Sequence, residues 1–222
     1  MNKDDEVSLQ FKYANGTLKN KFNETDSERL KAFEYQLVNK RLVWLLTHNK
    51  NIAINSVDDL TKIHRFLFEP IYDWAGQIRN YELAKGGTDF MLSESIPMGI
   101  RNINQQLKRI NTIKEPSAFD YAKLIDSLNY LHPFREGNGR STRVFVQLLA
   151  ANHGQKLGFE RQDARVIQAL ANADIPAIAN FIKLKQVGSK QAVLKDLSAR
   201  LAKRDKKYRA NVMPPRKHGR SR

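Results

Sequence analysis

The residues whose types and spacing could do chemistry lie in one stretch, His132-Pro133-Phe134-Arg135-Glu136-Gly137-Asn138-Gly139-Arg140-Ser141-Thr142-Arg143. Pro133 cannot continue a helix, so the stretch opens where one helix stops. Gly137 and Gly139 flank Asn138, and all three tolerate the φ > 0 geometry of a tight loop. Such a loop feeding a helix N-terminus aims several backbone N–H groups at one spot, an anion nest suited to phosphate. Arg140 and Arg143 stand three apart and share a helix face near that terminus. Two cations at the positive end of a helix dipole are unfavourable, and a bound anion would offset the cost. Glu136 precedes the nest and could hold a divalent ion that bridges two phosphates. His132 is the one group in the stretch able to exchange a proton near neutrality. Together these compose a phosphoryl- or nucleotidyl-transfer site.

Taken singly, each feature has a commoner structural reading. A His-Pro pair usually ends a helix, Gly-Asn-Gly is usually a turn, and paired arginines are usually a solvated face. Their conjunction within twelve residues is what carries the inference. Other motifs fail. Gly139-Arg140-Ser141 mimics the end of a P-loop, but Phe134 stands where its first glycine is required. Gly137-Asn138-Gly139 begins a dinucleotide fingerprint, yet its third glycine position is Thr142 and no βαβ unit surrounds it. His48, His64 and His153 show no metal-ligand spacing.

The elements that must position this stretch are helical. Thr25-Asp26-Ser27-Glu28 has capping-box spacing, and Leu30, Phe33, Leu37, Trp44 and Leu45 follow on one expected face. Ser56-Val57-Asp58-Asp59 opens a second helix with Leu60, Ile63 and Leu67 inward. Ser95 before Pro97 opens a third, with Ile100, Ile103, Leu107 and Ile110 inward. Pro116-Ser117 starts a fourth, with Asp120 at its third position and Ala118, Ala122, Ile125 and Leu128 inward. A fifth begins near Gly139 and ends at Gly154. Two short helices follow, around Val166 to Leu170 and from Asp174-Ile175-Pro176 into Phe181. A last one, over about 189–208, faces inward with Val193, Leu194, Leu197 and Leu201, ahead of a Pro214-Pro215 tail. Residues 77–83 instead alternate, Lys85-Gly86-Gly87-Thr88 turns, and Phe90-Met91-Leu92 runs on, which predicts a short β-hairpin over 77–92 leaning on the helices. One all-α domain with a hairpin is expected.

Composition bounds the function. The chain has 222 residues, 41% hydrophobic, which excludes a disordered chain. Zero cysteines exclude a disulfide scaffold and any thiolate zinc or redox site. No apolar run is long enough to span a membrane, and Met1-Asn2-Lys3-Asp4-Asp5-Glu6 leads into no signal-peptide core, so a cytoplasmic location with no membrane partner is expected. Of the +15 net charge, +10 falls on residues 190–222, where twelve Lys/Arg meet two Asp. A basic terminus of this kind can touch nucleic acid or simply stay solvated.

At every defined position, His132 to Arg143 resembles the Fic signature: His, any, Phe, any, Asp or Glu, Gly-Asn-Gly-Arg, any two, Arg. The resemblance extends to Leu18-Lys19-Asn20-Lys21-Phe22, Tyr72-Asp73-Trp74-Ala75-Gly76 and Lys85-Gly86-Gly87-Thr88-Asp89-Phe90, and covers roughly residues 10–185. It implies a Fic-type helical bundle with a short β-hairpin flap over the active site. The Fic domain with its N-terminal extension would span 1–188, leaving 189–222 as a basic C-terminal helix and tail. It also implies transfer of AMP from ATP, with Mg²⁺, to a Ser, Thr or Tyr hydroxyl of a target protein. By resemblance, His132 is the general base, Phe134 anchors the loop, and Glu136 binds Mg²⁺. Gly137, Asn138 and Gly139 cradle the phosphates, and Arg140 and Arg143 grip the outer ones. Asp89 and Phe90 lie near the nucleotide, and the 77–92 flap aligns the target segment main chain to main chain.

Two family variations bear on this chain. A kinase-like branch replaces the second motif glycine with lysine; Gly139 disfavours that activity. Many relatives carry an inhibitory helix with Ser or Thr, three residues, Glu, then Gly or Asn. None of the ten glutamates has Ser or Thr four residues before it. The resemblance is therefore to the toxin half of a bacterial pair whose small antitoxin supplies the glutamate, with effector-type relatives that act inside a host as a variant. The contrasting reading is a basic nucleic-acid-associated protein with a vestigial nucleotide site.

Overall fold

The computed structural model describes residues 7, 9–48, 52–85, 88–159 and 163–212. Helix α1, Ser27–His48, starts from Asp26, whose Oδ1 accepts the N–H groups of Glu28 at 2.9 Å and Arg29 at 3.1 Å. Asp26 thus displaces Thr25 as the cap, because it sits one residue closer to those orphan donors. The inward face is also rotated from expectation. Leu30, Glu34, Val38 and Leu45 are buried, whereas Phe33 and Trp44 are 44% and 47% exposed. Phe33 packs edge-on against Phe22 and Trp44 stacks on His48, so both find partners outside the core. Glu34, an acid, is buried on the inward face of α1.

Helices α2, Val57–Phe68, α3, Ile96–Thr112, and α4, Ala118–Leu131, begin where their caps predict. Asp59 Oδ2 accepts the Ser56 N–H at 3.2 Å. Ser117 and Asp120 bond reciprocally. Helix α5, Asn138–Asn152, is the central rod, with Val144, Phe145, Val146, Leu148, Leu149, Ala150 and Ala151 all buried. A helix apolar on so many sides must be surrounded, and α2 and α4 pack on it together with two elements described next.

Those elements follow Gly154, whose φ of +67° ends α5 as expected. Strand β3, Gln155–Gly158, pairs antiparallel with β4, Lys183–Gln186, in a second small sheet that local pattern does not announce. Helices α6, Ala164–Ala171, and α7, Ile175–Phe181, lie between these strands. Helix α8, Lys190–Val212, then buries Val193, Leu194 and Leu197 against α1, α5 and β3. The residues before Val7 and the tail after Val212, with Pro214-Pro215, lie outside the described residues. Among the described residues, no helix is long and apolar enough to cross a membrane.

The expected hairpin is real but shorter. Only Ala84–Lys85 (β1) pairs with Thr88–Asp89 (β2), and the Gly86-Gly87 turn lies outside the described residues. Within residues 77–83 Tyr81 is buried as the alternation predicts, but Arg79 is buried and Ile78 exposed, against it. Leu83 O still accepts the Phe90 N–H across the hairpin at 3.2 Å, but further back the main chain turns to the end of α4 and the loop after it. Arg79 N–H donates to Pro133 O at 2.8 Å and, across the hairpin, Met91 N–H donates to Tyr130 O at 2.9 Å.

Candidate active site

The end of α4 meets the start of α5 at His132, which caps α4 in the left-handed region at φ +39°. Its imidazole lies flat on the ring of Phe90, with centroids 3.6 Å apart, and Nδ1 is 3.2 Å from the carbonyl of Asn129. A carbonyl only accepts, so Nδ1 carries the hydrogen and the basic lone pair sits on Nε2. That is the tautomer a general base needs.

Pro133 and Phe134 are buried behind it, and Asn138 closes the bend. The Asn138 side chain accepts the Phe134 N–H at 2.9 Å and donates to the Phe134 carbonyl at 2.7 Å. Both ends of this amide are therefore used within the loop, and what it can offer a phosphate is its main-chain N–H. The N–H groups of Asn138 and Gly139, in the first turn of α5, have no intrahelical acceptor. Gly137 has φ +81°, and a Cβ there would meet Phe68 at 2.7 Å. Only glycine fits this approach.

Glu136 turns its Oε1 toward the Gly137 N–H at 2.9 Å and stands 4.0 Å from the Arg140 guanidinium. Its main chain is held by His64, a residue the sequence reading sets aside. His64 Nδ1 accepts the Gly76 N–H at 2.9 Å, so Nε2 carries the hydrogen and donates to the Glu136 carbonyl at 2.9 Å. The ring is fully buried and stacks on Phe134 at 3.8 Å. Burial pushes its pKa down to about 4, so it stays neutral.

His132, Glu136, Asp89 and Phe90 line one cavity of about 660 Å³, with Arg135, Glu82 and Tyr81. Arg140 and Arg143 turn elsewhere. Together with Lys156, Arg200 and Arg204 they line a second cavity of about 320 Å³ between α1, α5, β3 and α8. Arg140 pairs through Nη1 with Glu34 of α1 and lies over the Phe68 ring at 4.7 Å. The other oxygen of Glu34 accepts the Tyr72 hydroxyl, whose pKa rises through burial and the adjacent carboxylate. Glu34 and Tyr72 thus stand beside Arg140 although no spacing rule marks them; the signals are an acid on the inward stripe of α1 and the Tyr72–Gly76 segment of the resemblance.

Among the described residues, no group of three His, Asp or Glu forms a ready metal cage. Mg²⁺ does not require one, since it binds through one or two carboxylates plus phosphates and water. The Glu136 carboxylate, lining the cavity beside the α5 N-terminus, fits that donor set.

The chain is 35% identical over 109 residues to protein adenylyltransferase VbhT of Bartonella schoenbuchensis, covering 47% of this chain and 23% of that one. It is 28% identical over 150 residues to a probable protein adenylyltransferase Fic of Escherichia coli, covering 64% and 72%. It spans about a quarter of the length of VbhT and of a Bartonella henselae adenylyltransferase that it also matches. The BepC structure from Bartonella tribocorum, solved with bound AMPPNP, superposes with a TM-score of 0.70 over 80% of this chain and 98% of that one. At 22% identity, that likeness is one of fold. Residues 54–150, from the approach to α2 through most of α5, match the Fic/DOC family model, which marks this stretch as a Fic/DOC domain.

Proposed function

We propose that this protein is an adenylyltransferase that moves AMP from ATP to a Ser, Thr or Tyr hydroxyl of a target protein. The observation that carries this reading is the His132 imidazole, with Nδ1–H committed to Asn129 and its lone pair on Nε2, in one cavity with Glu136 at the N-terminus of α5. The adenylyltransferase names of the Bartonella and Escherichia coli relatives support the same chemistry. The hydroxyl proton passes to His132 Nε2 as the oxygen bonds to the α-phosphorus, and the bond to the pyrophosphate oxygen breaks. The N–H groups of Asn138 and Gly139 receive the negative charge that develops there. Glu136 would hold Mg²⁺, which offsets phosphate charge when bound. Asp89 and Phe90 lie beside the nucleotide, and β1 offers its main chain to the target segment.

Arg140 engages the outer phosphates by exchanging Glu34 for them, with Arg143 next along the helix. A small protein partner that supplies a glutamate to this pair restrains the enzyme, in line with the missing in-chain motif. The basic C-terminal segment adds a salt-sensitive affinity for nucleic acid.

Incubating the pure protein with α-labelled ATP and a bacterial lysate tests the central claim. A labelled protein is expected, and His132→Ala should cut the labelling rate by about 10²–10⁴-fold while ATP still binds. A lysate with no His132-dependent label sinks the reading.

A further inference from the structure

Arg79 is 4% exposed, and each of its donor nitrogens meets a main-chain carbonyl. Nε donates to His132 O at 2.8 Å and Nη1 to Tyr81 O at 2.7 Å. Nη2 donates to Met91 O and lies 3.4 Å from Leu131 O. Its own N–H holds Pro133 O at 2.8 Å. Burial works against the charge, with nearby Glu82 partly offsetting it.

The acceptors fall into two groups. Leu131 and His132 end α4, where carbonyls lack intrahelical donors and the helix dipole favours a cation. Tyr81 and Met91 lie on the two limbs of the flap, outside the β1–β2 pair. One planar guanidinium therefore bolts both limbs of the flap to the main chain of the base. The link matters because His132 sits at φ +39°, a conformation that is strained for a residue with a side chain unless its surroundings hold it. Phe90, on which the imidazole rests, is the residue before Met91.

We propose that Arg79 is a positioning residue that sets the His132 base against the flap, so that the two move as one unit. This rests on the transfer reading above. Lysine cannot replace the fork, because one ammonium cannot reach carbonyls lying in these separate directions.

Amide hydrogen exchange on the wild-type protein tests the coupling without any assumption about activity. The amides of Arg79, Met91 and His132 should open with one protection free energy and one denaturant dependence. Distinct values for the flap amides and His132 overturn the proposal. In Arg79→Lys, exchange at Met91 and His132 should rise together by about tenfold or more, and the AMP-transfer turnover should fall by about 10–100-fold. Its affinity for ATP should stay within about threefold of wild type, because Arg79 touches no part of the phosphate nest. A variant that transfers at the wild-type rate, or loses ATP affinity as much as turnover, overturns it. Should Arg79→Lys fail to fold, the wild-type exchange still decides. A wild-type protein without transfer refutes the function while leaving the exchange result to judge the coupling.

Discussion

Two cavities flank the first turn of α5, and their key side chains are held in different ways. In the one holding His132 the imidazole itself is set by main chain and neutral rings, with Phe90 under it, Asn138 closing the bend and His64 behind, while Glu82, Asp89, Arg135 and Glu136 charge the walls. The one holding Arg143 is lined by Arg140, Arg143, Lys156, Arg200 and Arg204, with a carboxylate from α1 drawn in to meet Arg140. The His132 imidazole is thus positioned by shape, while Arg140 is positioned by charge. Shape tolerates little change, and charge can be exchanged for the charge of a substrate.

Substitutions can break or sharpen this contrast, and the largest effect belongs to the shaped side. Gly137→Ala forces a Cβ against Phe68 at a φ of +81°. It should cost about 3 kcal/mol or more in chemical denaturation and abolish nucleotide binding. His64 comes next. Its pKa lies near 4 in the folded chain and near 6.5 unfolded, so the unfolded chain binds the extra proton between those values. Stability is full above about pH 6.5 and is lost as pH falls toward 4, by up to roughly 3 kcal/mol. His64→Gln keeps the donor to Glu136 and should flatten that slope in denaturation measured across pH 4–7.

The charged side should respond more softly. Glu34→Gln leaves Arg140 without its carboxylate and should lower stability by about 1–3 kcal/mol. The same change should tighten ATP binding several-fold in calorimetry, since the guanidinium no longer has to leave a partner. Weaker ATP binding would mean that Glu34 holds Arg140 in its working position and does not compete for it. Arg143→Ala should have the smallest effect, about a tenfold loss of ATP affinity with turnover at saturation little changed. Unchanged affinity would show that the second cavity takes no part in holding ATP.

Much of the frame is legible where a signal spans a few residues. The Ser56/Asp59 and Ser117/Asp120 caps, the glycines bounding α5 and the residues from His132 to Glu136 all read directly, because cap and turn chemistry acts within one helical turn. The misreadings are long-range. Phe33 and Trp44 look like core until Glu34 is needed opposite Arg140, 106 residues away. His64 looks incidental until Glu136, 72 residues on, accepts its bond. The hairpin looks longer than it is because the alternation of 77–83 carries a buried arginine, whose partners are carbonyls that no spacing rule announces. The β3–β4 sheet joins segments about thirty residues apart, beyond any local turn signal.

Asn138 carries one more consequence. A carboxamide neither gains nor loses a proton across the physiological range, and its two bonds to Phe134 involve no ions that dissolved electrolyte could shield. Brine that weakens the Glu34–Arg140 pair therefore leaves these two bonds across residues 134–138 in place. The bend keeps its form in saline surroundings where the ion pair beside it is screened out.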